Sequence, residues 1–301
     1  GAEHPSTADT LHDLARLYQD RGQYDRAEPL YRRALAIREQ AFGAEHLNTA
    51  GSLHALAWLY QMQGKYKEAE PLYRRALAIR EQALGFEHPN TADTLYALAW
   101  LYQIQSKYDQ AESLYQRALT IREQALGSDH PNIADTLHTL AQLYQDRGQY
   151  DQAEPLYQRA LAIREQALGS DHASIAGSLH ALAWLYQIQG KYKEAEPLYR
   201  RALAIREQAL GAEHPNTADT LYALARFYQM QGKYGEAEPL YQRALAIREQ
   251  ALGFEHPSTA DTLYDLARLY QDQDRNDLAE PLYQRVQAIR EQFSAPNHPN
   301  V

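Results

Sequence analysis

Residues Gly43–Leu84 read GAEHLNTAGSLHALAWLYQMQGKYKEAEPLYRRALAIREQAL. The stretch is 42 residues long, and the 301-residue chain is seven versions of it end to end: 1–42, 43–84, 85–126, 127–168, 169–210, 211–252 and 253–294. Ala295–Val301 opens an eighth repeat or forms a tail. A fixed period of about 20–50 residues marks a solenoid, in which each unit buries its apolar face against its neighbours. Residues 1–301 are therefore read as one domain, although chain length alone would suggest about two. Gly1 begins in register with a repeat and there is no initiator Met, so the chain reads as part of a longer array.

Each unit carries two apolar patterns of helical period. Ala50, Leu53, Leu56, Ala57 and Tyr60 share one face of a first helix. Ala69, Leu72, Tyr73, Ala76, Leu77 and Ile79 belong to a longer second helix. Gly64 stands between them, where a helix C-terminus favours a left-handed residue; Ser106 and Asp274 replace it elsewhere at some conformational cost. Pro71 is expected in the first turn of the second helix, where its missing N–H costs little. Asn90-Thr91-Ala92-Asp93 reads as the cap of a first helix.

Composition excludes several classes. A formal charge of −9 argues against a nucleic-acid scaffold, which needs a basic face. Without cysteine there is no disulfide, thiolate nucleophile or cysteine metal site. No apolar run reaches the ~20 residues a membrane helix needs, no signal-peptide pattern opens the chain, and a cytoplasmic setting is the expectation. The loop histidines (His4, His46, His88, His130, His172, His214, His256, His298) each stand alone in a repeat, so they read as turn hydrogen-bonding groups and not as metal ligands. Nearly every polar residue has copies in other repeats, whereas a catalytic centre needs a few unique groups in one pocket; no enzyme, cofactor or metal is expected.

Leu53-x2-Leu56-Ala57-x2-Tyr60 followed by Ala69-x3-Tyr73 resembles the tetratricopeptide repeat pattern. The longer phrase Gly64-Lys65-Tyr66-Lys67-Glu68-Ala69-Glu70-Pro71-Leu72-Tyr73, then Ala76-Leu77-Ala78-Ile79-Arg80-Glu81 and Gly85-x-Glu87-His88-Pro89, is similar to kinesin light chain repeats in all seven units. Many bacterial proteins resemble kinesin light chains in this way without a motor, and a bacterial origin is expected. The resemblance implies an all-α, right-handed superhelical solenoid of helix-turn-helix repeats whose first helices line a concave, peptide-binding face. The Asn-Asn pair with which kinesin light chain repeats clamp a peptide is replaced here by His54-Ala55, Tyr96-Ala97 and their equivalents, so ligand specificity does not carry over.

Comparison of the seven copies locates the variation. The frame Leu-x2-Leu-Ala-x2-Tyr and Ile-Arg-Glu-Gln recurs in every copy, with Phe227 for Leu beside Tyr228. The first helix varies along a stripe: Arg16 and Asp20, Trp58 and Met62, Trp100 and Ile104, Gln142 and Asp146, Trp184 and Ile188, Arg226 and Met230, Arg268 and Asp272. A Gln flanks each pair: Gln19, Gln61, Gln103, Gln145, Gln187, Gln229 and Gln271. Gln donates to and accepts from a peptide backbone, and Trp and Met supply apolar contact. The stripe is apolar in repeats two, three, five and six, and Ala50-Gly51-Ser52 recurs as Ala176-Gly177-Ser178, a second period of three repeats that records block duplication.

The expected site is His54, Trp58, Gln61, Met62, Tyr96, Trp100, Gln103, Ile104, His180, Trp184, Gln187, Ile188, Tyr222, Arg226, Gln229 and Met230. It would bind a peptide or helix of a protein partner, with Arg16, Arg226 and Arg268 meeting acidic groups. The competing reading packs the Trp side chains between first helices as core. The array could instead be the sensor or spacer of a larger signalling protein joined to a nucleotide switch or protease. It could also associate end to end, since repeat seven departs from the pattern (Asp272-Gln273-Asp274-Arg275-Asn276-Asp277, Val286-Gln287) as a terminal cap would, whereas repeat one does not.

Overall fold

A 16-residue first helix, 15 residues in the last repeat, alternates with a 19-residue second helix through the described residues. A computed structural model describes residues 4–294, so the Ala295–Val301 stretch and His298 lie outside the described residues. The helices are α1 (Pro5–Asp20), α2 (Tyr24–Phe42), α3 (Leu47–Met62), α4 (Tyr66–Leu84), α5 (Pro89–Ile104), α6 (Tyr108–Leu126), α7 (Pro131–Asp146), α8 (Tyr150–Leu168), α9 (Ala173–Ile188), α10 (Tyr192–Leu210), α11 (Pro215–Met230), α12 (Tyr234–Leu252), α13 (Pro257–Gln271) and α14 (Asn276–Ser294). No strand occurs among the described residues.

The chain divides into two compact units, Gly1–Leu156 and Tyr157–Val301, with the division inside α8. In the first, each helix from α1 to α7 packs on the next; in the second, the same holds from α9 to α14. Within a repeat the antiparallel hairpin buries Leu53, Leu56, Ala57 and Tyr60 of α3 together with Ala69, Tyr73, Ala76 and Ile79 of α4. Burial of one such Leu or Ile side chain stabilises by about 1.5–3 kcal/mol, so each short helix depends on its neighbours more than on its own propensity. Leu35 and Leu77 reach from the second helix of one repeat into the core of the next, and Leu203 and Leu245 do the same in the second unit.

Polar staples reinforce that stacking. The Tyr102 hydroxyl donates to Glu70 Oε1 at 3.1 Å and accepts from Arg74 Nη2 at 2.8 Å, while Lys107 Nζ donates to Glu70 Oε2 at 3.2 Å. Burial pushes the Glu70 carboxyl up, but the bonds from Lys107 and Tyr102 outweigh it and hold the group below the usual carboxylate range. The same arrangement joins Glu28 to Tyr60 and Lys65, and Glu238 to Tyr270 and Arg275.

The turn after each first helix is left-handed as expected: φ is +72° at Gly64, and Ser106 and Asp274 are both held at +58°. Two local expectations are corrected. The cap of α5 is not Asn90 but His88, whose Nδ1 accepts the Asn90 N–H at 3.1 Å, with Pro89 opening the helix. An imidazole can do this because its neutral tautomer leaves one ring nitrogen as an acceptor. Every described loop histidine caps its helix in this way, at 3.1–3.2 Å. Pro71 also lies further into its helix than expected, five residues after Tyr66. The proline and Lys67, whose carbonyl loses the bond, are both exposed, so that carbonyl is open to solvent.

Candidate functional site

Position 54 and its equivalents, on the first helix, lean against the buried tyrosine of the second. The His54 and Tyr73 rings meet edge-on at 5.3 Å, Tyr96 and Tyr115 at 5.4 Å, His180 and Tyr199 at 5.6 Å, and Tyr222 and Tyr241 at 5.9 Å. That tyrosine hydroxyl in turn donates to the stripe Gln, Tyr73 to Gln61 Oε1 at 2.9 Å and Tyr199 to Gln187 Oε1 at 2.9 Å. Gln103 and Gln229 accept in the same way at 3.1 and 2.8 Å. Their amide groups reach forward one repeat, Gln103 Nε2 to Asp146 Oδ2 at 2.9 Å and Gln229 Nε2 to Asp272 Oδ2 at 3.1 Å. The Gln row is thus held by the frame, and Gln61 and Gln187 are buried. The sequence alone did not show this, because the Tyr partner sits twelve residues away on another helix.

In the first unit the structure brings Trp58 and Trp100 together, both half-buried, with ring centroids 5.3 Å apart and planes tilted by 32°. Such a pair is a tilted aromatic contact within the centroid range at which rings attract one another. Met62 is half-buried beside them and Ile104 is 40% exposed. Tyr96 shares its hydroxyl proton with Thr139 Oγ1 at 2.8 Å.

In the second unit His180, Trp184, Gln187, Ile188, Tyr222, Arg226 and Met230 line one groove of about 540 Å³. Ile188 is 42% and Met230 55% exposed, a level at which a structural core residue is unusual. Gln229 stands outside the lining, engaged with Tyr241 and Asp272. Arg226 is already matched in part: its Nε lies 3.6 Å from Asp265 Oδ2, which also accepts the Tyr222 hydroxyl at 2.6 Å. Burial and then that carboxylate push the Tyr222 hydroxyl pKa up. Arg16 and Arg268 are exposed.

Sequence reasoning missed Tyr199, Asp219 and Arg248, which reach the groove from the frame. Arg248 belongs to the invariant Ile-Arg-Glu-Gln phrase. Its Nη1 donates to Ser258 O at 2.9 Å and Thr262 Oγ1 at 2.7 Å on the following first helix, and its Nη2 to Asp219 Oδ1 at 2.8 Å. The guanidinium also lies 4.6 Å from the centre of the Tyr222 ring, within cation–π range. Where histidine replaces that tyrosine, the same arginine opposes its charge: burial and then Arg80 lower the His54 pKa to about 4, and burial and then Arg206 lower that of His180 to about 4. Among the described residues no cluster of His, Asp or Glu is arranged to hold a metal, and no helix is long and apolar enough to cross a membrane.

The tetratricopeptide repeat profile matches residues 6–82, 60–124, 174–250 and 216–292, and the nephrocystin-3 tetratricopeptide domain matches 111–209. No curated protein matches the sequence. Among solved structures, the nearly identical TPR-like repeats of a kinesin light chain from Podosopora anserina are 35% identical, over 68% of this chain and 97% of that one, with a TM-score of 0.60. BtubC (BKLC) from P. vanneervenii is 25% identical over 84% of this chain and 92% of that one, with a TM-score of 0.62. The apo form of RapI shares the fold at 16% identity, with a TM-score of 0.72 over 95% of this chain and 98% of that one. The chain belongs to the tetratricopeptide repeat family, and its repeats are of the kinesin light chain type.

Proposed function

We propose that the chain, a protein-interaction scaffold by its fold, grips a peptide segment or helix of a partner along the face of its first helices, and that its seven repeats act as one domain. The observation that carries this reading is the groove of about 540 Å³ in which Trp184, Ile188 and Met230 stay accessible beside polar groups fixed by the frame. Accessible apolar side chains rimmed by polar ones suit a protein ligand. The Trp58–Trp100 pair would serve the same end in the first unit. The role is binding and not catalysis.

The test begins with peptides selected from a random display library against the intact chain. The Trp100→Ala, Trp184→Ala double variant should bind the selected peptides at least ten-fold more weakly while its melting stays cooperative and within a few degrees of wild type, since truncating a central aromatic contact costs about 2 kcal/mol or more. Unchanged binding, or loss of cooperative melting, would return these tryptophans to the core. End-to-end association is a second reading, favoured by Leu14 at 38% and Leu17 at 46% exposure on α1, against 4% and 0% for Leu56 and Leu59 at the same positions of α3. Light scattering that reports a strict monomer at all concentrations would exclude it.

A further inference from the structure

The invariant arginine of the second helix has a carboxylate partner in some repeats and a gap in others. Arg38, Arg122 and Arg248 each donate from Nη2 to an Asp 29 residues earlier, Asp9, Asp93 and Asp219, at 2.8 Å in all three. Those aspartates are 67%, 56% and 56% exposed, so the position opens to solvent. At the same spacing Arg80 and Arg206 find Gly51 and Gly177. A Cβ built on either glycine would meet nothing within 4 Å. Nη1 of Arg80 still bonds Thr94 Oγ1 at 2.5 Å and Asn90 O at 2.8 Å, and Nη1 of Arg206 bonds Thr220 Oγ1 and Asn216 O at 2.5 and 2.6 Å. Each guanidinium is therefore held through Nη1, and the carboxylate that takes Nη2 in the other repeats is replaced by a glycine. Beside it stands His54 or His180, whose Nδ1 is buried without a partner.

We infer that these two gaps are carboxylate subsites, each taking an Asp or Glu side chain of a bound segment in place of the missing aspartate. The guanidinium fork matches a carboxylate and is held in position before the ligand arrives, which raises the return on each bond. Nearby negative charge does not close the site: Asp93 and Asp219, from the following repeats, are neutralised by Arg122 and Arg248. Gly51 precedes Trp58, and Gly177 precedes Trp184, by seven residues, or two helical turns of about 10 Å. An extended ligand advances about 3.3 Å per residue, so its acidic side chain should lie about three positions from the apolar one that meets the tryptophan. The inference rests on the groove reading for its ligand, while the subsite itself can be tested without a peptide.

The experiment follows the arginine Nε–Hε resonances of the intact chain during titration with N-acetyl-glutamate methylamide. Arg80 and Arg206 should show saturable shifts at least three-fold larger than those of Arg122 and Arg248, whose places are filled. The neutral glutamine analogue should move none of the four. Gly51→Asp and Gly177→Asp, for which the backbone leaves room, should abolish the shifts, and Gly51→Asn with Gly177→Asn should retain part of them. Equal movement of all four arginines, equal shifts with the glutamine analogue, or shifts that survive in the Asp variants would overturn the inference. Saturable capped-glutamate binding with no peptide recovered from display would sink the groove reading and leave the subsites standing.

Discussion

In repeat three, Arg122 has a carboxylate at 2.8 Å and the Tyr96 ring 5.0 Å from its guanidinium; in repeat two the equivalent Arg80 has Gly51 and His54 in those places. Repeats six and five show the same contrast, Arg248 with Asp219 and Tyr222, against Arg206 with Gly177 and His180. Both versions keep the bonds from Nη1 to the following first helix. The stacking of repeats therefore depends on those bonds, and the aspartate and the ring are additions. The same side chain is consumed by the frame where it is matched and left for a ligand where it is not.

The largest test of this contrast removes the arginine. Arg248 is buried and tied on three sides, so Arg248→Ala should cost about 3 kcal/mol, because the buried Thr262 hydroxyl loses its donor, the Ser258 carbonyl loses one of its donors and Asp219 loses its counter-ion. Arg206→Ala should cost about 2 kcal/mol, since only the bonds to Asn216 and Thr220 are lost. Urea midpoints of the two variants compare them directly. Equal losses would mean that Asp219 and Tyr222 contribute nothing to the frame, and the contrast between repeats would carry no energetic meaning.

A second test uses the histidines. His54 and His180 hold folded pKa values of about 4, below the 6.5 of an unfolded chain. The folded state therefore binds fewer protons between those values, so stability is full above pH 6.5 and falls as the pH drops towards 4. From pH 7 to 5 the two together should cost ~2 kcal/mol after allowance for solvent around these half-buried rings. Tyrosine already occupies the position in repeats three and six, so His54→Tyr with His180→Tyr should flatten that slope while thermal melting stays cooperative. A wild-type melting temperature that does not change between pH 7 and pH 5 would show that neither burial nor Arg80 and Arg206 opposes the imidazolium charge.

How these features appear in the sequence differs by scale. The helices were legible because Leu53, Leu56, Ala57 and Tyr60 obey a spacing of three and four on one helix, and the 42-residue period repeated that signal seven times. The accessible stripe through Trp184, Ile188 and Met230 was legible from variation among copies. The pairing of Asp219 with Arg248 was not, because its 29-residue spacing crosses from one helix to another and follows no helical period. The role of Gln61 was hidden for the same reason, since a polar residue on a variable helix reads as surface until Tyr73 is seen to claim its oxygen. His88 as a cap was missed because imidazole is a rare choice where Ser, Thr, Asp and Asn dominate.

The smallest difference between repeats two and three runs the other way, at the turn. Gly64 takes its φ of +72° without steric cost, whereas Ser106 is held at +58° with a Cβ that crowds the following carbonyl. The strain is about 1 kcal/mol, but glycine also gives the unfolded chain more freedom, which offsets part of the gain. Ser106→Gly should therefore stabilise by about 0.5 kcal/mol, and Asp274→Gly by less, because a short polar side chain such as Asp tolerates the left-handed region better than Ser. The measurement is a small rise in melting temperature with no change in the capped-glutamate titration. A fall in melting temperature would show that the serine supports the turn between α5 and α6, and a change in the titration would couple the turn to the arginine site, which the separate hydrogen-bond sets of Ser106 and Arg80 argue against.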